Sequence, residues 1–246
     1  MRITEARLRR IIREALLREE GDERQADNSP GTKRKIFVLV GPPGVGKSTW
    51  IAKNFRSIHP YIISRDDVAE SVAERLGWTY DDMFQAPPKD AQPGDRHEQF
   101  GEVVTSPAFM TWQPLSYSHV LSANWELQEE FKARVGGAAD SGRDIVVDMT
   151  NMNARARQNA LAAIKGREAQ FETVAVVFPF QGAEDDIVRV VGIRAEKAKA
   201  AGRSKSVPPA AVTRMMQAYE PISPAEGFDT VIEFDNRAAL KALAAS

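Results

Sequence analysis

Nine consecutive residues, Gly41-Pro42-Pro43-Gly44-Val45-Gly46-Lys47-Ser48-Thr49, hold the densest chemistry in the chain. Glycine lets the backbone turn tightly and keeps side chains out of the concavity, so that N–H groups can converge on an anion. Gly41, Gly44, Val45 and Gly46 would form that cradle, with Thr49 closing it. Lys47 has the reach to pair with β- and γ-phosphates, and the Ser48 hydroxyl suits a magnesium ion bridging the same oxygens. A helix opening at Lys47 would add its N-terminal dipole. The expected cofactors are therefore ATP and magnesium.

Two acidic segments could act on what the cradle holds. Ile62-Ile63-Ser64 runs into Arg65-Asp66-Asp67. Phosphoryl transfer to a hydroxyl needs a group that takes the hydroxyl proton, and a positioned aspartate does this. Asp66 is the candidate base, with helix capping or an ion pair as its alternative role. Asp67 reads as a helix N-cap ahead of Val68-Ala69-Glu70-Ser71-Val72. Asp148 closes the apolar run Ile145-Val146-Val147 and could orient the magnesium shell, with Thr150 and Asn151 just beyond it on the substrate side. The alternative for Asp148 is a strand-end turn before a helix near Asn153. A third segment, 189–205, sets Arg189, Arg194, Lys197, Lys199, Arg203 and Lys205 against Glu196 alone. This composition suits a lid in which Arg194 and Arg203 stabilise the transferring phosphoryl group, or else an ordinary solvated helix face.

These residues need a scaffold, and the pattern from Lys35 onward supplies one. Apolar runs at 36–40, 61–64, 144–148, 173–178 and 230–234 alternate with helix-compatible sequence, which predicts an α/β fold on a five-stranded parallel sheet. In such a sheet ligands collect at the carboxyl ends of the strands, where the cradle, Asp66 and Asp148 all emerge. Residues 77–116 break the pattern and read as an insertion. It holds Trp78, Tyr80, Phe84, Phe100, Phe109 and Trp112, which could stack on a ligand or form a small core of their own. Six carboxylates against two cations make the segment acidic, a charge that repels a phosphate backbone.

Ahead of the domain expected over 35–246, residues 1–20 read as an amphipathic helix and 21–34 as a flexible linker. The face over residues 5–19 could dock a protein partner or a second copy, or be a leader without a role in chemistry. A formal net charge of -1 shows no global basic excess, so contact with nucleic acid would need a local patch. The chain has no cysteine, which excludes disulfides and thiolate metal sites. No apolar run reaches the roughly 18 residues that cross a bilayer, and no signal-peptide core opens the chain. No membrane association and a cytoplasmic location are expected.

Taken together, Gly41 to Trp50, Ile63-Ser64-Arg65-Asp66-Asp67, Asp148-Met149-Thr150-Asn151-Met152-Asn153 and Val207-Pro208 with Val212, Met215 and Met216 resemble the P-loop polynucleotide 5'-hydroxyl kinases of the bacteriophage type, within the adenylate-kinase-like small kinases. The resemblance spans roughly residues 35–235, interrupted by the insertion. It implies a three-layer P-loop kinase fold with a helical lid, Asp66 as general base and Arg65 as a nucleic-acid contact. The implied reaction is ATP-dependent phosphorylation of the 5'-hydroxyl of a DNA or RNA strand. The family has an arginine three residues after the base, where this chain has Ala69, and its lid arginines stand closer together than Arg194 and Arg203. Two rivals are kept. One is a small-molecule kinase, including the zeta-toxin-like kinases of sugar nucleotides, which Ala69 and the acidic insertion favour. The other is a nucleotide-gated interaction module that only hydrolyses ATP.

Overall fold

Ile36-Phe37-Val38-Leu39-Val40 is apolar without alternation, as befits a strand covered on both faces, and all five residues are buried. They lie in a parallel sheet of a computed structural model that describes residues 2–3, 33–56, 59–76, 80, 98–99, 102–103, 114–200 and 207–245. The strands are β1 (Arg2–Ile3), β2 (Arg34–Val40), β3 (Tyr61–Ile63), a short antiparallel pair β4 (Glu98–Gln99) and β5 (Glu102–Val103), β6 (Ile145–Val147), β7 (Phe171–Val177) and β8 (Thr230–Glu233). The sheet order is β1-β8-β7-β2-β6-β3, so the five expected strands are all present and the cradle strand β2 sits between β7 and β6. The two-residue β1, paired in parallel with β8, extends that set at one edge.

The helices are α1 (Lys47–Asn54), α2 (Arg65–Leu76), α3 (Pro114–Ala138), α4 (Ala154–Leu161), α5 (Glu184–Ala200), α6 (Pro209–Gln217) and α7 (Arg237–Ala244). Together with the strands they make an α/β fold on a parallel sheet, with the glycine-rich loop between β2 and α1. Two compact units are present. The first comprises Met1–Ser64, Arg134–Ile193 and Val207–Ser246; the second comprises Arg65–Ala133 and Arg194–Ser206. In the first, Trp50 of α1, Ile187 and Val191 of α5, Val212 and Met216 of α6 and Leu240 of α7 close over Phe37, Leu39, Val146 and Val176 of the sheet. In the second, Val68, Ala69, Val72 and Ala73 of α2 pack with Leu127 of α3, and the rings of Tyr80 and Phe131 lie against them. Arg75 ties the same helices on their outer side through Glu126 and Glu130.

The structure corrects one boundary. Asp67 is not an N-cap, because α2 opens at Arg65 and carries both Asp66 and Asp67 in its first turn. The helix dipole favours carboxylates there as it would at the cap, so the charge pattern alone could not separate the two. The long α3 also falls partly inside and partly beyond the expected insertion. The proposed helix at 5–19, the linker up to residue 32 and most of the insertion lie outside the described residues, while Arg34, expected as the last linker residue, opens β2.

Candidate functional site

The cradle is built where β2 ends. Val38 pairs with Val147 in the parallel register of β2 and β6, which brings Asp148 to the strand end beside the loop. The Gly41 amide donates to the Thr150 carbonyl (2.9 Å), and the Phe178 amide donates to Val40 (2.9 Å), so both neighbouring strand ends hold the loop entrance. Gly44 and Gly46 have φ of 84° and 107°, the left-handed region that side chains disfavour. Space closes the same positions. A Cβ on Gly44 would lie 2.8 Å from Val191 Cγ2, and one on Gly46 would lie 2.5 Å from Asn236 Nδ2. Each is below any normal contact, so the loop requires glycine at both positions for its backbone angle and for its space. Val45 is buried, anchoring the loop in the core, while Ser48 and Thr49 are exposed at the start of α1.

Lys47 Nζ donates to the Gly41 and Pro42 carbonyls, both at 2.9 Å. Those oxygens hold the ammonium over its own loop, from which it can exchange carbonyls for phosphate oxygens. The metal donors on offer are the Ser48 hydroxyl and the half-buried Asp148 carboxylate. Among the described residues no group of three acidic or histidine ligands exists. One hydroxyl and one carboxylate fit magnesium, which keeps most of its shell as phosphate oxygens and waters, better than a metal that needs an all-protein cage.

Asn151 departs from the expected substrate-side role. It is 1% exposed, and its amide Nδ2 donates to the Leu39 carbonyl (2.8 Å) one strand away. At φ 46° it is the one non-glycine residue with positive φ among the described residues, a conformation asparagine tolerates. Its backbone carbonyl in turn accepts from Arg157 Nη1 (3.2 Å). Arg157 is completely buried and bidentate on Glu226, Nε to Oε2 at 2.6 Å and Nη2 to Oε1 at 2.8 Å. That guanidinium holds the Glu226 carboxyl below the usual carboxylate range. Glu226 also closes a capping box with Ser223. The Asp148–Asn153 segment therefore braces the cradle from beneath, and Thr150 contributes its carbonyl to the same task. Asn153 caps α4 by accepting from the Ala156 amide (2.8 Å).

In the second unit, Asp66 is exposed on the first turn of α2, and its Oδ1 accepts a hydrogen bond from the Tyr80 hydroxyl at 2.9 Å. Arg65 is exposed beside it. The helix dipole opposes a cation in a first turn, so nothing in the helix itself calls for arginine there. Ala69, one turn on, is fully buried. Arg194 is exposed on α5, and Arg203 lies outside the described residues.

Sequence reasoning missed Asn236, Arg157, Glu226 and the pairing of Tyr80 with Asp66. Ser223-x-x-Glu226 was legible as a capping box. Asn236, 191 residues from the carbonyl it touches, left no local signal.

Residues 36–222, well over half of the chain, match the family model of an AAA domain. The chain belongs to that AAA-domain family. No curated protein matches it. Among solved structures, the AAA domain described here is similar to one from the PezAT chromosomal toxin–antitoxin system of Streptococcus pneumoniae, at 11% identity and a TM-score of 0.50 over 96% of this chain and 79% of that one. It is also similar to a candidate kinase from Chloroflexus aurantiacus j-10-fl (14%, TM-score 0.44, 87% and 94%) and a gluconokinase from Sinorhizobium meliloti 1021 (16%, 0.39, 85% and 89%). At such identities the likeness is one of fold.

Proposed function

We propose that this AAA domain is an ATP-dependent, magnesium-requiring kinase acting on a hydroxyl, with the 5'-hydroxyl end of a DNA or RNA strand as the first acceptor. The observation that supports transfer, beyond nucleotide binding, is Asp66: an exposed carboxylate in the first turn of the helix that follows β3, with Oδ1 accepting from the Tyr80 hydroxyl and no partner on Oδ2 among the described residues. In this reading the loop amides and Lys47 hold the donor, and Ser48 with Asp148 holds the metal. Asp66 receives the acceptor proton, Arg65 grips the acceptor, and Arg194 with Arg203 offsets charge on the transferring group.

The deciding experiment offers γ-labelled ATP with 5'-hydroxyl DNA, 5'-hydroxyl RNA, nucleosides and sugar nucleotides. Label on an oligonucleotide end supports the reading. Label on a small molecule alone replaces it with the small-molecule reading, which the burial of Ala69 favours: a side chain packed in the α2 core cannot grip an acceptor phosphate. Release of inorganic phosphate alone, whatever the acceptor, would leave only the nucleotide-gated module, with residues 5–19 as the candidate docking helix. Asp66→Asn should lower transfer by roughly 10²–10⁴-fold and leave ATP affinity nearly unchanged. Equal loss of both would remove Asp66 from the role of base.

A further inference from the structure

We infer that Asn236 is a positioning residue for phosphate binding, acting through the Val45–Gly46 peptide; this rests on the nucleotide-binding reading of the cradle. Asn236 follows β8 and precedes α7, and its Nδ2 donates to the Val45 carbonyl at 3.2 Å. Among the described residues no peptide bond is cis, and in a planar trans peptide the C=O and the following N–H point in opposite directions. Fixing Val45 O on Asn236 therefore fixes the Gly46 N–H facing away from Asn236, into the loop. Gly46 is the residue at which this direction is easiest to lose. Its φ of 107° lies in a region only glycine enters freely, so an unrestrained Val45–Gly46 plane could rotate and present a carbonyl where a phosphate oxygen should sit.

Three further features fit a dedicated role. Asn236 occupies the N-cap position of α7, where asparagine commonly caps with its side chain, yet it makes no side-chain cap bond, because the amide is turned to the cradle. The approach is too close for anything but glycine at position 46, with Nδ2 2.5 Å from a Cβ there. The residues on either side hold the turn. Asp235 and Arg237 pair at 2.6 Å, and Arg237 Nη1 donates to the Gln181 carbonyl at 3.3 Å.

The test is calorimetric titration of the full chain with ATP and with inorganic tripolyphosphate, which has the phosphates and no base or sugar. Asn236→Ala should weaken both ligands by the same factor, about tenfold, with the melting midpoint little changed. Asn236→Asp keeps the shape but sets a carboxylate oxygen against Val45 O, so it should bind less tightly than Asn236→Ala. A role in packing alone predicts the reverse order, because the isosteric variant preserves the contact surface. Wild-type affinity in both variants, or Asp binding better than Ala, would overturn the inference while Lys47→Ala still lost both ligands. If the unmodified chain bound neither ligand, the nucleotide reading would fall, and the inference with it. Should Asn236→Ala melt early, Asn236→Asp decides the matter alone.

Discussion

Tyr80 and Asp66 show how a single hydrogen bond can direct a carboxylate. The phenol occupies Oδ1, and the ring is held by the apolar cluster of α2 and α3, so the second oxygen has a fixed direction. Tyr80→Phe keeps the ring and removes the donor. Turnover should drop several-fold while ATP affinity holds, and the same change in an Asp66→Asn background should have no further effect. Steady-state kinetics on the four proteins check this, and additive losses would show that the two residues act independently. Lys47 presents a different balance. Its ammonium already has two carbonyl partners, so gaining a phosphate is an exchange, and Lys47→Ala should weaken ATP in equilibrium binding. Residue identities at these positions were readable from the sequence, since glycine spacing and the Lys-Ser pair have few other uses. What Ala69 does was not, because only the packing of α2 shows that its methyl belongs to a core.

Among elements, the turn from β6 into α4 matters most, since beyond Asp148 it supports the cradle through the Thr150 carbonyl and the Asn151 side chain. Arg157 reaches across to Glu226 and stitches Asn151 into place, with both charged groups almost fully buried. Removing one partner of such a pair typically costs about 3–5 kcal/mol, because the other charge is left buried and uncompensated. Arg157→Ala should show a loss of that order in urea melts, with weaker ATP binding in the protein that remains folded. The pH dependence has a defined sign. Glu226 is depressed in the fold from an ordinary value of 4.5, so its contribution is present above that value and lost as pH falls through the lower folded one. Stability measured from neutral pH downward should decline over that window, and Glu226→Gln should flatten the slope. Strands and α4 were legible because apolar runs and an Asn cap are local signals. The α2 boundary was not, because Arg65 and two aspartates read equally well before or inside a first turn. Nor was the pair of Arg157 and Glu226, whose 69-residue separation leaves no trace in either neighbourhood.

At the scale of the molecule, the parallel sheet carries the architecture, and its five principal strands were visible because buried parallel strands are written as unbroken apolar runs. β1 was not, since two residues make no run. Among the described residues no helix is long and apolar enough to cross a membrane. A ligand that binds only the folded state should stabilise the whole chain, by about 2.7 kcal/mol at a concentration one hundred times its dissociation constant. ATP with magnesium should therefore raise the melting midpoint of the unmodified protein, and Lys47→Ala should shrink that shift. A shift of equal size in both proteins would place nucleotide binding away from the cradle.

Trp50 sits three residues beyond Lys47 on α1, 1% exposed, edge-on to Phe55 and Phe178, and its indole N–H has no hydrogen-bond partner among the described residues. An indole so enclosed emits at short wavelength, and the rigid ring cluster gives it a strong near-ultraviolet circular dichroism. Replacing Trp78, Trp112 and Trp125 by phenylalanine would leave this one indole, on the helix whose first residue is the proposed phosphate contact Lys47. Its emission is then expected to shift as ATP loads the loop, a label-free readout that a nucleotide titration checks.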